Sequence, residues 1–414
     1  MDKTRHIAWL ENDLRTGAAI YLRPEGLGKT FLAHLLENYY DIAARDKFDE
    51  NFRGNWIRSH KTRMASSYCV LSLDFSQVSA KEGRIEPGFL SALMDGITRF
   101  SNAYPKLAFP KDKQELELYS DHAQLLAAFC VYFYGKARNV ETIYLIIDGY
   151  DQFALSILSD GENDLRSTAT ELHESEWFIK SFYACIKRFY GGIPGRPIAK
   201  VLITGVSAIA LDSITSGFNI ATDISENPRC AAMAGLTHDE LSEIIDDTVD
   251  FSRLGRVSKA SLMEEMERQF GGHSFSPGSG EPLFITCMCL YFLKSVIQDS
   301  KLPFEPSAGF VSGNLTKLDG VMKLADPSLR DYLKRIILGE PVISARRARL
   351  DLHLSDRLDL SMSVSLLKHL GYLSFPSKAR NTLMPEYMCP NEACRRLFTR
   401  YLEDRQEFSD HAST

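Results

Sequence analysis

A chain of 414 residues exceeds the size of one ordinary hydrophobic core, so we expect two or three domains. Hydrophobic residues make up 44% of the chain and charged residues 25%, which is typical of a globular protein, and the formal net charge of −6 argues against non-specific nucleic-acid binding. The apolar runs at 125–134 and 283–293 are shorter than the roughly 20 residues of a membrane-spanning helix, and no secretory signal is visible. We therefore expect a cytoplasmic protein that does not enter a membrane.

The first predicted strand leads into a phosphate-binding loop. After a polar helix expected at 1–17, the apolar run 18–22 predicts a buried strand, and apolar residues at helical spacing follow at 31–40. Between them lies the segment Arg23-Pro24-Glu25-Gly26-Leu27-Gly28-Lys29-Thr30. Backbone amides and the Lys29 ammonium suit phosphate oxygens, and the Thr30 hydroxyl suits Mg²⁺. The residues that we expect to bind nucleotide phosphates are Pro24, Glu25, Gly26, Leu27, Gly28, Lys29 and Thr30.

This loop departs from the usual pattern at one position. A phosphate loop normally has glycine five residues before Gly28, where this chain has Arg23. Gly26 is the residue that could supply the missing flexibility. Without the flanking strand and helix, Gly28-Lys29-Thr30 would equally fit a strand-end glycine followed by a surface lysine.

Strands and helices continue to alternate up to about residue 250. The pattern predicts strands at 69–76, 143–148 and 198–204 and helices at 87–100, 121–137 and 175–190. The run 143–148 is continuously apolar before its final Asp148, which is typical of a parallel strand covered on both faces. Such alternation predicts a doubly wound α/β sheet that binds its ligand at the carboxyl ends of the strands. Those ends carry Arg23, Asp74, Asp148 and Thr204.

A metal partner for the loop is expected at the end of the third strand. Asp148 would hold Mg²⁺ beside Thr30, the alternative being a strand-end aspartate that caps a turn. Hydrolysis also needs a group that orients water, commonly a glutamate next to this aspartate, and that position is Gly149. Asp151 is the nearest candidate to replace it, and Asp74 is a second.

From Thr237 onward the pattern becomes mainly helical. Thr237-His238-Asp239-Glu240 has the spacing of a capping box at the start of a helix. The remaining expected elements are helices to 247 and at 260–270, 281–298, 326–338 and 363–370, a loop at 271–280, and a hairpin of 371–375 with 382–384. The last helix and hairpin suggest a winged-helix-like module, and an extension of the helical lid is the alternative. We predict a nucleotide-binding domain at 1–236, a helical lid at 237–340 and a C-terminal module at 341–414.

Cysteine usage indicates reduced thiols. Five cysteines lie in apolar segments and are expected in the core: Cys69, Cys130, Cys185, Cys287 and Cys289. Cys389 and Cys394 have half of a zinc-site spacing, but no second pair follows, so zinc is not expected.

The order of these motifs resembles the AAA-ATPase-like family of P-loop proteins. The segments that carry the resemblance are Asp2-Lys3-Thr4, Arg23-Pro24 with Gly28-Lys29-Thr30, Leu73-Asp74-Phe75-Ser76, Ile147-Asp148-Gly149-Tyr150-Asp151, Leu202-Ile203-Thr204-Gly205-Val206-Ser207 and Ser216-Gly217-Phe218-Asn219-Ile220-Ala221-Thr222-Asp223. The resemblance covers about residues 1–250, and the family shows arginine at the position of Arg23. Members belong to the additional-strand class and are often fused to a PD-(D/E)XK nuclease domain, which is not apparent here.

The resemblance implies a five-stranded core in which the Thr204 strand lies between the loop strand and the Asp148 strand. It also implies that Thr204 senses the γ-phosphate. The family usually has Asp-Glu-Tyr-Asp where this chain has Asp148-Gly149-Tyr150-Asp151, so the carboxylate that would activate water is missing. Gly280-Glu281-Pro282 resembles a Gly-x-Pro sensor of related signalling NTPases, and a helix start explains it equally well.

These patterns predict an ATP- and Mg²⁺-binding switch with weak or absent hydrolysis. Asp151 and Thr204 are the candidate catalytic residues, and Thr30 and Asp148 are the candidate metal ligands. The alternatives are an active ATPase that uses Asp151 or Asp74 as base, and an interaction scaffold that keeps the fold. A small-molecule kinase is a fourth candidate function, but no arginine-rich lid motif that would hold an acceptor is visible. We expect a protein partner or self-association, and charge does not support a nucleic-acid partner.

Overall fold

The computed structural model describes residues 2–13, 17–78, 85–109, 119, 121–137, 141–158, 177, 179–208, 219–277, 281–344, 358–376 and 384–405. A five-stranded sheet lies at its centre in the order β2-β3-β4-β1-β5, and its described pairings are all parallel. The strands are β1 (Ala18–Leu22), β2 (Cys69–Asp74), β3 (Ile143–Asp148), β4 (Ile198–Gly205) and β5 (Thr222–Asp223). The predicted position of β4 between β1 and β3 is confirmed.

Helices cover both faces of this sheet. Those that accompany the strands are α1 (Arg5–Asp13), α2 (Lys29–Tyr40), α3 (Phe48–Asn51), α4 (Ile85–Ala103), α5 (His122–Ala137), α6 (Gln152–Leu158) and α7 (179–189). Neighbouring strand residues alternate between two hydrophobic clusters: Ile20 belongs to one, and Tyr21 to the other. A strand that buries both faces has no polar side to show, which explains the continuous apolar runs. The doubly wound α/β fold is confirmed.

The second half of the chain is mainly helical, as predicted. Its helices are α8 (His238–Thr248), α9 (Lys259–Phe270), α10 (Thr286–Asp299), α11 (Ala308–Leu324), α12 (Leu329–Ile337), α13 (Leu360–His369) and α14 (Glu392–Glu403). The capping box at Thr237 is present, because its hydroxyl accepts from the Glu240 amide at 3.2 Å and the Glu240 carboxylate accepts from the Thr237 amide at 3.0 Å. The Lys3 ammonium binds the same carboxylate at 2.6 Å, so the amino terminus is tied to α8.

Helix α11 was not predicted from the sequence. Its segment contains three glycines, which disfavour an isolated helix. A Cβ atom at Gly320 would lie 2.3 Å from the Leu158 carbonyl oxygen, so the glycine allows α11 to approach the end of α6 closely. Tertiary packing therefore overrides the local propensity. Helix α14, also not predicted, begins after Asn391, whose side chain accepts from the Cys394 amide at 3.1 Å.

The expected C-terminal hairpin was wrong in its partner strand. Ser374 pairs with Met388, and β6 (Val342–Ile343) pairs antiparallel with β7 (Glu386–Tyr387). Residues 382 and 383, the first two of the predicted partner, lie outside the described residues. The hydrophobic cluster of the sheet continues into α12 and α14, so the C-terminal segments pack on the same core. The domain boundaries and the winged-helix-like module stay predictions.

The predicted start of the helix at 281–298 also needs correction. Helix α10 begins at Thr286 rather than 281, and Leu283 instead forms a short antiparallel bridge with His273. Gly280 lies outside the described residues, and the Glu281 carboxylate accepts a hydrogen bond from the His238 amide at 3.1 Å. None of the helices in the described part of the chain combines the length and apolar character that crossing a membrane requires.

Candidate nucleotide site

The loop after β1 has the backbone geometry that its glycines permit. Gly26 has a φ of +77° and Gly28 a φ of +102°, both in the left-handed region that other residues adopt only with strain. Gly28 precedes the first residue of α2 and provides no side-chain cap. The amides of the first turn of α2 can therefore serve an external acceptor such as phosphate.

Arg23 is a structural residue of this loop. Only 1% of its surface is exposed, and the guanidinium carbon lies 4.4 Å from the ring centroids of both Tyr21 and Phe275. Its nitrogens donate to the backbone carbonyl oxygens of Leu22, Ser225, Cys230 and Ala231. A delocalised cation held by four carbonyls and two rings ties the loop to the segment after β5. Arginine thus replaces the usual glycine because the position is an anchor.

The Lys29 ammonium is bound to the loop itself. Its nitrogen donates to the carbonyl oxygens of Arg23 at 2.9 Å and Pro24 at 3.1 Å. Burial lowers the pKa of Lys29, and the nearby Asp151 and Asp148 carboxylates oppose that shift. A phosphate oxygen carries more charge than a carbonyl, so an incoming triphosphate can displace these contacts.

The Asp148 carboxylate joins the loop to the neighbouring strand. One oxygen accepts from the Thr30 hydroxyl at 2.5 Å, and the other accepts from the Thr204 hydroxyl. Thr30 and Asp148 are thus brought together as predicted, and their oxygens fit the ligand preference of Mg²⁺. Thr204 is fully buried, and its hydroxyl is engaged with Asp148. The Thr204 hydroxyl thus holds one oxygen of Asp148, and its implied contact with the γ-phosphate stays a prediction.

Asp151 is poorly placed to act as a base. It is 1% exposed, and its carboxylate accepts from the Val206 amide at 3.0 Å, the Ser207 amide at 2.6 Å and the Ser207 hydroxyl at 2.7 Å. Burial raises the pKa of Asp151, and the bonds from Ser207 and Val206 oppose that shift. In this arrangement the Asp151 side chain holds the turn after β4, and its role as the water-orienting group stays a prediction.

Gly149 is required by the backbone. Its φ is +73°, and a Cβ atom there would lie 3.2 Å from the Ser76 amide nitrogen and 3.3 Å from the Ser76 α-carbon. A glutamate at this position would be both strained and crowded. The turn is held by the Gly149 and Tyr150 amides, which donate to the Thr204 carbonyl at 3.0 and 3.1 Å.

Asp74 is the accessible carboxylate at this edge of the sheet. It ends β2, is exposed, and stands in register with Asp148 on β3. Its carboxylate accepts from the Ser76 amide at 2.8 Å. Asp74 therefore ends the strand next to Asp148, at the carboxyl ends of the strands, where open α/β sheets bind their ligands.

Two residues of the site come from elements that sequence reasoning did not connect with the loop. Lys317 of α11 forms a 2.5 Å salt bridge with Glu25, 292 residues away in the chain. Cys287 of α10 is exposed, against the expectation of a core thiol, and a Cβ atom on Gly26 would lie 2.2 Å from its sulfur. Its amide donates to the Gly26 carbonyl at 2.9 Å. No local sequence signal could reveal these contacts, because only folding brings α10 and α11 to the loop.

A cavity of about 540 Å³ lies at the carboxyl ends of the strands and is lined by part of this set of residues. Gly26, Gly28, Lys29 and Thr30 form one side, and Asp148 and Asp151 form another. Pro24 and Leu27 are buried in the loop. Pro24 packs on Gly371, because a Cβ atom on Gly371 would lie 2.9 Å from the Pro24 ring. The volume lies within the range of small-molecule sites.

A comparison with known proteins identifies the family of this chain. A family model described as predicted AAA-ATPase matches residues 1–215, just over half of the chain. Among solved structures, a Walker-type ATPase of Pyrococcus abyssi is similar at 13% sequence identity with a TM-score of 0.49, over 96% of this chain and 94% of that one. No curated protein matches the sequence. With its family model covering most of the sheet and the whole phosphate loop, the chain belongs to the AAA-ATPase-like family.

Proposed function

We propose that this protein binds Mg-ATP through its phosphate loop and acts as a nucleotide-dependent switch with slow hydrolysis. Membership of the family supports a nucleotide-binding, ATPase-like function. The observation that carries the proposal is the hydrogen-bonded chain from Thr30 through Asp148 to Thr204. The Thr30 hydroxyl and the Asp148 carboxylate lie next to each other, and both supply the oxygen ligands that Mg²⁺ prefers. When bound, the ion would neutralise charge on the β- and γ-phosphates.

The loop itself supplies the groups for the phosphates. On binding, the Lys29 ammonium would exchange the Arg23 and Pro24 carbonyls for phosphate oxygens, and the new bonds would be charge-assisted. Amides in the first turn of α2 would donate to the same anion, which the helix dipole also favours. The left-handed conformations of Gly26 and Gly28 support this close backbone approach.

Slow hydrolysis is inferred from the state of the nearby carboxylates. A water-orienting base must lie within hydrogen-bond reach of the water. Among the described residues that line the cavity, Glu25 is paired with Lys317, Asp148 holds two threonine hydroxyls, and Asp151 is buried against Ser207. None of these three carboxylates is available in this arrangement without breaking a contact.

Asp74 favours a second candidate function, that of an active ATPase. It is exposed and in register with Asp148, so its carboxylate could orient a water that the metal aspartate cannot. A base on this strand would restore hydrolysis without a glutamate at position 149. The two functions differ in the rate of phosphate release and in the effect of removing Asp74.

The deciding experiment combines ATP binding by calorimetry, with Mg²⁺ and with EDTA, and phosphate release by wild type, Asp74→Asn and Asp151→Asn. The switch predicts binding that Mg²⁺ strengthens and turnover well below about 1 s⁻¹, the lower part of the ordinary enzyme range. Turnover at or above that rate, lost in Asp74→Asn, would establish the active ATPase. The same loss in a folded Asp151→Asn would make Asp151 the base, and absence of ATP binding by folded wild type would leave a scaffold.

A further inference from the structure

A second cavity lies near the amino ends of the strands, opposite the end that carries the phosphate loop. It has a volume of about 670 Å³ and is lined near the amino ends of β3 and β4 by Tyr144 and Lys200. Tyr40, the last residue of α2, forms a further part of the wall, and the exposed Lys61 and Arg63 also line it. This volume lies within the range of small-molecule sites.

Lys200 is an unusual group to find in a sheet. It stands in register with Tyr144, and its ammonium lies 4.7, 5.8 and 5.9 Å from the ring centroids of Tyr40, Tyr68 and Tyr144. Burial lowers the pKa of Lys200, and the Glu11 carboxylate opposes that shift. Within the described ranges, Lys200 makes no hydrogen bond or salt bridge. A cation–π contact leaves its N–H donors unsatisfied, so the ammonium can still bind an anion.

Three of the four charged side chains that line the cavity, counting histidine as neutral, are cationic. Lys61, Arg63 and Lys200 are opposed by one carboxylate, that of Glu11, and its oxygen already accepts from the Thr62 hydroxyl at 2.5 Å. This local excess of positive charge occurs in a chain whose net charge is −6. Concave walls concentrate such a field and raise the local concentration of anions.

From this arrangement we infer a second ligand site, which takes a small anionic molecule with a planar ring. The ammonium of Lys200 and the guanidinium of Arg63 suit a phosphate or carboxylate group, and the tyrosine rings suit a flat apolar partner. The cavity and the phosphate loop share their supporting elements. Tyr144 and Lys200 stand four residues before Asp148 and Thr204 on β3 and β4, a separation of about 13 Å along a strand. The inferred site is therefore distinct from the nucleotide site.

Pyridoxal 5′-phosphate is a suitable probe, because it combines a planar ring, a phosphate and an aldehyde. The Lys200 amine would condense with the aldehyde and release water, and borohydride would then reduce the imine to a stable amine. Peptide mass spectrometry reports the label at Lys200 relative to the exposed Lys301. Pyridoxal, which lacks the phosphate, is the matched probe. We expect the normalised labelling of Lys200 to be about tenfold higher with the phosphate than without it.

Arg63→Ala should reduce this phosphate advantage about fivefold, or about 1 kcal/mol at 1.4 kcal/mol per factor of ten. Arg63 is exposed, so the variant is expected to fold, and Arg53→Ala, at an exposed arginine that does not line the cavity, is the control that should change nothing. Equal labelling of Lys200 by both probes would show a reactive lysine without anion recognition and would overturn the inference. So would an unlabelled Lys200 in protein whose Lys301 is labelled, or an equal effect of Arg53→Ala.

Discussion

The hydroxyl of Thr204 donates a hydrogen bond to the carboxylate of Asp148, 56 residues away in the chain. The second Asp148 oxygen accepts from Thr30 of the phosphate loop. Since β4 lies between β1 and β3, the middle strand of the three supplies the hydroxyl that fixes the carboxylate of its neighbour. The orientation of Asp148 therefore depends on both adjoining elements.

Replacing Thr204 by valine should weaken Mg²⁺-dependent ATP binding and spare the binding measured in EDTA. Valine keeps the shape of the threonine side chain but removes its hydroxyl donor. One oxygen of Asp148 is then left without this hydrogen bond, which costs about 1–3 kcal/mol for a buried polar group. Calorimetry under both conditions measures the effect. Thr204→Ser keeps the hydroxyl and is the control. Equal Mg²⁺ dependence in wild type and the valine variant would show that Thr204 does not position a metal ligand.

Lys29→Ala should remove most ATP affinity, by about 1.5–3 kcal/mol, the typical value for a hydrogen bond to a charged group. The loss should appear both with Mg²⁺ and in EDTA, because in the proposed site Lys29 would contact phosphate directly, whereas Thr204 would act through the metal. Circular dichroism establishes folding, and Lys301→Ala, at an exposed lysine outside the loop, is the control. Unchanged ATP affinity in a folded Lys29→Ala protein would refute the nucleotide site.

His273 should make the protein less stable as the pH falls from 7 to 5. The side chain is 1% exposed, its Nε2 lies 3.0 Å from the Asn391 amide nitrogen, and burial lowers its pKa to about 4. Because the folded pKa lies below the unfolded value of 6.5, the unfolded chain binds the proton first, and stability is lost as the pH falls through this interval. The expected loss between pH 7 and pH 5 is about 2 kcal/mol.

Urea unfolding at the two pH values tests this expectation, with His273→Gln as the comparison because glutamine does not titrate. The difference between the two proteins isolates the contribution of the histidine from that of the carboxylates. An identical pH dependence in both would show that His273 is protonated in the folded protein without penalty.

The elements that the sequence predicted correctly are those with local signals. The glycine loop between β1 and α2 and the apolar run ending at Asp148 depend only on neighbouring residues. Helix α11 was not predicted because Gly320 lowers the helix propensity of its segment. The reason for this glycine, the close approach of α11 to Leu158, is visible only in the folded chain. The buried contacts of Asp151 could not be predicted for a similar reason: the amides that donate to its carboxylate belong to the turn after β4, 55 and 56 residues later. Local patterns cannot show which distant donor a side chain meets.

The last prediction concerns Gly149. From sequence alone, a glutamate at this position is expected to raise the rate of hydrolysis if the position tolerates a side chain, and to destabilise the fold if glycine is needed there for a positive φ. The structure favours the second outcome, since φ is +73° and a Cβ atom would lie only 3.2 Å from the Ser76 amide nitrogen. We expect Gly149→Glu to lower the free energy of unfolding by about 1–2 kcal/mol or more and to leave phosphate release no faster than in wild type.

Gly149→Ala separates the effect of backbone strain and crowding from the effect of the added carboxylate, because alanine introduces the strain and the Cβ contact without a carboxylate. Both variants should be destabilised to a similar degree in urea unfolding, while ATP binding by the folded fraction persists. Faster phosphate release by a folded, ATP-binding Gly149→Glu protein, with Gly149→Ala unchanged, would mean that the backbone at this position rearranges. The missing carboxylate would then be the sole cause of slow hydrolysis. A wild-type rate that neither variant changes would instead direct attention to Asp74, whose exposed carboxylate ends the adjacent strand in register with Asp148.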